Sequence, residues 1–155
     1  MIETPAAALC AHRAGFDAVD VKACHRYLIS ELHASFTREN SRYGGCFENR
    51  TRFIRNVVGK IRDAVPGLTI TTRMNAYDAM AYPYGWGMDR DDPARPDLGE
   101  PIELVRFFSQ AGAPLINITR RSRPSASPPC GGAPNEKAFS KCPNCSCAMS
   151  SGICK

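Results

Sequence analysis

The chain has 155 residues, of which 43% are hydrophobic and 23% charged, and its formal net charge is +5. This composition is typical of a globular domain, and no apolar run approaches the length of a membrane span, so we expect no membrane partner. The N-terminus, MIETPAAALCAHRAG, lacks the basic start and apolar core of a secretory signal, so a cytoplasmic protein is expected.

The basic residues do not predict a nucleic-acid surface. Their densest run stands among apolar residues at helical spacing, which favours a solvated helix face. The residues of this run are Arg50, Arg52, Arg55, Lys60 and Arg62. We therefore expect no nucleic-acid partner.

The first half of the chain predicts a helix, a strand and a second helix. Residues 5–14 favour a helix, and Gly15 follows at the position of a C-cap. AVDV at 18–21 is a short β-branched strand. Residues 47–65 place apolar side chains at intervals of three and four, so they predict an amphipathic helix that Pro66-Gly67 ends.

The second half repeats this alternation. LTITTRM at 68–74 is strand-like, 101–112 begins with proline and ends with glycine as helices do, and PLINIT at 114–119 predicts a third strand. Strands that alternate with helices are parallel and joined by helical crossovers. The sequence therefore predicts an α/β fold.

Reactive side chains follow two of the predicted strands. Lys22, Cys24, His25 and Tyr27 come directly after the first, and Arg73 closes the second. The helix-to-strand links are short, whereas the strand-to-helix links run to about 25 residues. In α/β barrels the active site is built at the C-terminal ends of the strands, so we expect these side chains at the mouth of an active site.

Each of these residues also has a structural interpretation. A single histidine such as His25 is more often a hydrogen-bonding residue of the fold than a catalyst, Tyr27 could be a core aromatic, and Lys22 a solvated charge. Arg73 is costly to bury without an acceptor, so it predicts a partner. The convergence of the four on neighbouring strand ends favours a functional site.

A loop rich in aromatic residues follows the second strand, and it has two interpretations of equal weight: a wall of the substrate pocket, or simple packing of the loop. Its aromatic residues are Tyr77, Tyr82, Tyr84 and Trp86. The sequence holds neither a GxGxxG after a strand nor a P-loop, so neither nucleotide fingerprint is present.

Three motifs occur in a fixed order: AGFDAVDVKACHRYLISEL, then SRYGGCFENRTRFIRNVV, then TITTRMN. This set resembles the old yellow enzyme family over about residues 14–119, and most closely the NADH:flavin oxidoreductases that group with 2,4-dienoyl-CoA reductases. The resemblance implies a (β/α)8 barrel that binds FMN, is reduced by NADH or NADPH, and reduces small molecules with an activated double bond, such as enones or enoyl thioesters.

The resemblance also implies roles for individual residues. Two donors at the end of the first strand hold the substrate's carbonyl oxygen, and Lys22 and His25 stand at their positions. Lys22 departs from the family's usual histidine. Tyr27 matches the tyrosine that protonates the substrate carbon, and Arg73 matches the arginine beside the flavin.

A (β/α)8 barrel takes roughly 250 residues, and the sequence predicts three of its strands. We therefore expect residues 1–119 to be part of such a barrel and 120–155 to be a separate, irregular tail. Alone, the chain is expected to be inactive and to associate with itself through the open edges of its sheet.

The tail is rich in Pro, Ser, Gly and Cys, a composition that does not build a packed core. We expect it to be disordered or to derive from a shifted reading frame, with no metal bound. The alternative is a small metal-binding module, because four thiolates could bind zinc or a cluster. These would be Cys142, Cys145, Cys147 and Cys154.

Overall fold

A computed structural model describes residues 4–120, which form a three-stranded parallel sheet and four helices. The tail predicted over 120–155 lies, apart from its first residue, outside the described residues. The elements run in the order α1 (Pro5–Arg13), β1 (Ala18–Ala23), α2 (Leu28–His33), α3 (Phe47–Ala64), β2 (Thr69–Tyr77), α4 (Gly99–Gln110) and β3 (Ile116–Arg120).

The sheet has the strand order β1-β2-β3, and both neighbouring pairs are parallel. This confirms the predicted alternation of helices and parallel strands. Gly15 follows α1 with a φ of +86°, the left-handed conformation that a glycine adopts after a helix end. The three helices and three strands predicted from the sequence are all present.

Several element boundaries differ from the prediction: β1 continues past Val21 to Ala23, so Lys22 lies inside the strand, while α4 begins at Gly99 and β3 at Ile116. β2 continues three residues past the predicted end at Met74, because Asn75 and Tyr77 still pair with β3 across a bulge. The short helix α2 was not predicted, since six residues are too few to show a helical period.

One hydrophobic cluster joins the strands to all four described helices. Along β1, buried Val19, Val21 and Ala23 alternate with less buried residues, so one face of the sheet packs against the helices. The predicted apolar stripe of α3 fills the centre of this cluster with Ile54, Val57, Val58 and Ile61. The other face of the sheet is left for polar side chains.

The sequence predicted that Arg50 lies on a solvated helix face, and this prediction is wrong. Arg50 is 2% exposed, and its guanidinium donates to the carbonyl oxygens of His33 (2.6 Å) and Gly45 (2.8 Å). It also pairs with Glu100 at 2.5 Å and lies 3.8 Å from the centroid of the Phe36 ring. A buried cation is tolerated when its donors are satisfied in this way.

His33 is buried at the end of α2, beside Arg50 and Trp86. Its ring centroid lies 5.0 Å from that of Trp86, and its Nε2 has no hydrogen-bond partner among the described residues. Burial, together with the nearby charge of Arg50, lowers the pKa of His33 from 6.5 to about 3. The imidazole is therefore neutral at physiological pH.

Within residues 4–120, no helix is both long and apolar enough to cross a membrane.

Replacing Arg50 by methionine should lower the free energy of unfolding by about 2–4 kcal/mol, because the two carbonyl oxygens lose their donor and Glu100 loses its cation. Urea unfolding followed by circular dichroism measures this. Arg106→Gln, which breaks an exposed pair with Glu103, is the matched control and should change stability by no more than about 0.5 kcal/mol. Equal effects of the two variants would contradict the role given to Arg50.

Stability should fall as the pH drops from about 6.5 toward 3, at roughly 1 kcal/mol per pH unit from His33 alone. The folded protein keeps His33 neutral in this window, whereas the unfolded chain takes up the proton. Urea titrations between about pH 7 and pH 5 lie above most carboxylate titrations and isolate this group. His33→Phe should flatten the slope, and His12→Gln, at an exposed position of α1, should leave it unchanged.

Candidate functional site

A row of polar residues crosses the sheet near the C-terminal ends of its strands. Lys22 on β1 is the register partner of Arg73 on β2, which is in turn the partner of Asn117 on β3. Their neighbours Val21 and Thr72 are buried, so the row lies on the face opposite the helices. The sequence placed Lys22 and Arg73 on neighbouring strand ends, and the structure makes them adjacent.

Asn117 was missed because the register of a strand cannot be read from its own sequence. The signal available was its position, a polar residue inside the predicted strand PLINIT. The next row toward the start of the strands contains Asp20 and Thr71. These two side chains are paired with each other, since the Thr71 hydroxyl donates to the Asp20 carboxylate at 3.0 Å.

Arg73 has an unsatisfied donor. Its Nε is buried and has no hydrogen-bond partner among the described residues. Leaving such a donor unpaired costs about 1–3 kcal/mol, and more for a charged group. The sequence predicted an acceptor for Arg73, and residues 4–120 do not supply one at Nε, so this position fits an acceptor from a ligand.

Lys22 and Tyr27 are in direct contact. The ammonium nitrogen of Lys22 lies 3.1 Å from the centroid of the Tyr27 ring, a cation–π arrangement. Tyr27 is the N-cap residue of α2 and is 55% exposed, so it is not a core aromatic. The phenol therefore stands at the surface beside one end of the polar row.

His25 lies in the turn between β1 and α2, and its side chain is exposed. Both His25 (φ 61°) and Arg26 (φ 55°) have left-handed backbone, which is uncommon for residues other than glycine. Strained residues of this kind cluster at functional sites. The structure thus brings Lys22, Tyr27 and Arg73 together, and it places His25 in the same turn without a contact to them.

The aromatic loop after β2 divides into a packed part and an exposed part. Trp86 is 1% exposed, donates from its indole nitrogen to the carbonyl of Asn75 at 3.1 Å, and belongs to the hydrophobic cluster. Gly87 has a φ of +67°, and a Cβ there would lie 2.3 Å from the carbonyl oxygen of Ala76. Tyr84 is 64% exposed. The sequence allowed these aromatic residues to form a wall of the substrate pocket or to pack the loop, and Trp86 packs the loop.

A second feature missed by the sequence analysis is Arg26. Its guanidinium pairs with Glu31 and contacts the sulfur of Met80 and the carbonyl oxygen of Tyr84. These contacts join the turn after β1 to the loop after β2. No pattern in the sequence distinguishes Arg26 from other basic residues, because Met80 and Tyr84 lie more than fifty positions away along the chain.

Chemically, the arrangement offers two cations, an amide and a phenol on one edge of a parallel sheet. Such a set can hold an acceptor-rich or anionic group and place a proton donor beside it. Among residues 4–120, no group of three or more His, Cys, Asp or Glu side chains could hold a metal ion. The cysteines of the alternative metal module lie outside the described residues.

Comparison with known proteins gives a match to the family model "NADH:flavin oxidoreductase / NADH oxidase family" over residues 4–87, which include Lys22, His25, Tyr27 and Arg73. NADH:flavin oxidoreductase FG08077 of Gibberella zeae is 38% identical over 117 residues, covering 74% of this chain and 28% of that protein. NADPH dehydrogenase of Bacillus subtilis is 35% identical over 114 residues, covering 73% and 30%.

Among solved structures, morphinone reductase superposes with a TM-score of 0.56 and 27% identity, over 74% of this chain and 28% of that one. Old yellow enzyme from Pichia sp. AKU4542 superposes with a TM-score of 0.52 and 24% identity, which supports the fold alone. The chain spans less than a third of the length of each of these four proteins.

Proposed function

Because the chain belongs to the NADH:flavin oxidoreductase / NADH oxidase family, we propose that residues 4–120 form one side of an FMN-dependent ene-reductase site. The residues of this site would hold FMN, which would supply hydride transfer from NADH or NADPH to an activated carbon–carbon double bond. The observation that carries the proposal is the buried, unpaired Nε of Arg73 in register with Lys22, whose ammonium contacts the exposed Tyr27.

Arg73 is the residue that we assign to the flavin. Its unpaired donor suits the acceptor atoms along the pyrimidine edge of the isoalloxazine ring, and its positive charge favours the anionic reduced form over the neutral oxidised form. When bound, FMN supplies the hydride chemistry. The role proposed for Arg73 is electrostatic, and the burial of its Nε strengthens the interaction with a nearby negative charge.

Lys22 and His25 are assigned to the substrate's carbonyl oxygen, and Tyr27 to the protonation of its carbon. A cationic donor at the carbonyl oxygen stabilises the negative charge that develops there as the double bond is reduced. The phenol of Tyr27 is exposed at the same edge and carries a transferable proton. Small substrates such as enones and enoyl thioesters meet these requirements.

We further propose that the 155-residue polypeptide by itself does not bind FMN tightly enough to catalyse this reaction. One charge-assisted hydrogen bond contributes about 1.5–3 kcal/mol, whereas micromolar affinity for a cofactor requires about 8 kcal/mol. Within residues 4–120, β1 and β3 each pair on one side only, and Leu115 and Ile118 near and on β3 are 62% and 50% exposed. Association of copies through these open edges would cover the apolar surface.

Tyr27→Phe should slow alkene reduction by about 100-fold or more, with NADPH-driven flavin reduction unchanged, because only the second half-reaction needs the proton. The variant is made in a chimera in which residues 4–120 replace the matching segment of Bacillus subtilis NADPH dehydrogenase, and stopped-flow absorbance follows each half-reaction. Tyr43→Phe is the matched control, since that ring packs against Phe53 instead. A flavin-loaded Tyr27→Phe chimera with the full rate would remove Tyr27 from the mechanism.

The 155-residue polypeptide should retain no stoichiometric FMN after desalting, for the energetic reason given above. Flavin absorbance per chain and NADH oxidation with a cyclic enone are the measurements, and the chimera serves as the flavin-binding control. A yellow, catalytically active preparation of the 155-residue chain would show that its own residues complete the site.

A further inference from the structure

Arg26 stands between His25 and Tyr27 and is held by contacts that the proposed reaction does not explain. His25 and Arg26 are consecutive residues in the left-handed conformation, with φ of 61° and 55°. Such a backbone conformation is unfavourable for residues other than glycine and persists only where surrounding contacts enforce it. The turn therefore needs an anchor.

The side chain of Arg26 supplies that anchor. Its Nε and Nη2 pair with the two carboxylate oxygens of Glu31 on α2, at 2.5 and 3.1 Å. Its Nη1 contacts the sulfur of Met80 and, at 3.4 Å, the carbonyl oxygen of Tyr84 in the loop after β2. A two-pronged arginine–carboxylate pair fixes orientation as well as distance.

These contacts leave Arg26 little capacity for a substrate. All three of its nitrogens already face protein acceptors, and its side chain is only 26% exposed. The Tyr27 carbonyl oxygen accepts from the Glu31 backbone nitrogen at 2.9 Å, so the two partners of the ion pair flank Tyr27 on both sides. The ring of Tyr27 itself is 55% exposed, and Lys22 is the cation that lies over it.

We propose that Arg26 is a positioning residue: by clamping the turn at 24–27 to α2 and to the Met80–Tyr84 loop, it holds the Tyr27 ring under the Lys22 ammonium. The importance of that geometry for proton delivery rests on the function proposed for Tyr27. The clamp itself is a property of this chain's own side chains, and it can be measured without flavin or substrate.

The test is a ring-current shift in the full 155-residue chain. The Lys22 ε-methylene group is bonded to the Nζ that lies 3.1 Å from the centroid of the Tyr27 ring, so the NMR signal of its protons should be displaced upfield. Lys22→Gln assigns this signal by removing it. The indole N–H signal of Trp86, the one tryptophan of the sequence, reports whether the core is folded in each sample.

Two variants remove the clamp without adding backbone strain. Glycine adopts positive φ freely and asparagine tolerates it, so Arg26→Gly and Arg26→Asn keep the turn accessible but cannot reach Glu31, Met80 and Tyr84 together. Both should lose the upfield displacement of Lys22 while the Trp86 signal stays. Arg106→Gln, which removes an exposed arginine that pairs with Glu103 on α4, should keep the displacement.

Three outcomes would overturn the proposal. The first is a wild-type chain whose Lys22 signal is not displaced, and the second is a displacement that persists in both Arg26 variants. The third is loss of the Trp86 signal in both variants, since Arg26 would then support the whole fold and not the turn. None of these results bears on whether Tyr27 donates a proton, which the flavin half-reactions of the Tyr27→Phe chimera decide separately.

Discussion

The position of α2 at the end of β1 depends on the hydrogen bonds and the ion pair of the buried Arg50 guanidinium. A cation inside an apolar cluster is stable only while its donors have acceptors, and here these come from three different segments: the end of α2, the loop before α3, and α4. These acceptors stabilise Arg50, and Arg50 in turn holds the three segments together. Because Arg50 must be satisfied, α2 is fixed against α3, and α2 in turn carries Glu31, to which Arg26 ties the preceding turn.

The two faces of the sheet have different roles, because the side chains of each strand alternate between them. One face of each strand contributes to the cluster that includes Ile54 and Leu104, and the opposite face carries Lys22, Arg73 and Asn117. Since successive side chains of a strand point to opposite faces, polar residues can collect at the strand ends without entering the core. The unpaired Nε of Arg73 lies on the polar face, where a ligand can satisfy it.

Much of the fold and of the candidate site could be predicted from the sequence. The features that could not be predicted have one physical cause in common. The period of α3 and the alternation of helices with β-branched strands are local signals, so the fold class and the proximity of Lys22 to Arg73 followed from them. The burial of Arg50 depends on carbonyl oxygens supplied by other segments, and the register of Asn117 depends on a neighbouring strand. The exposure of Tyr27, the left-handed turn at His25 and the contacts of Arg26 are likewise set by tertiary structure, which outweighs local preference.

The polar row has an open end. Asn117 lies on β3, which pairs only with β2 among residues 4–120, so the next side chain in register would come from whichever strand adds to that edge. The residues proposed for the flavin and for proton transfer lie on β1, on β2 and in the turn after β1. Exchanging the strand that pairs with this edge would therefore change the neighbour of Asn117 and leave Lys22, Tyr27 and Arg73 in place, so the junction after β3 is a position at which a design could alter ligand preference and keep the groups proposed for the chemistry.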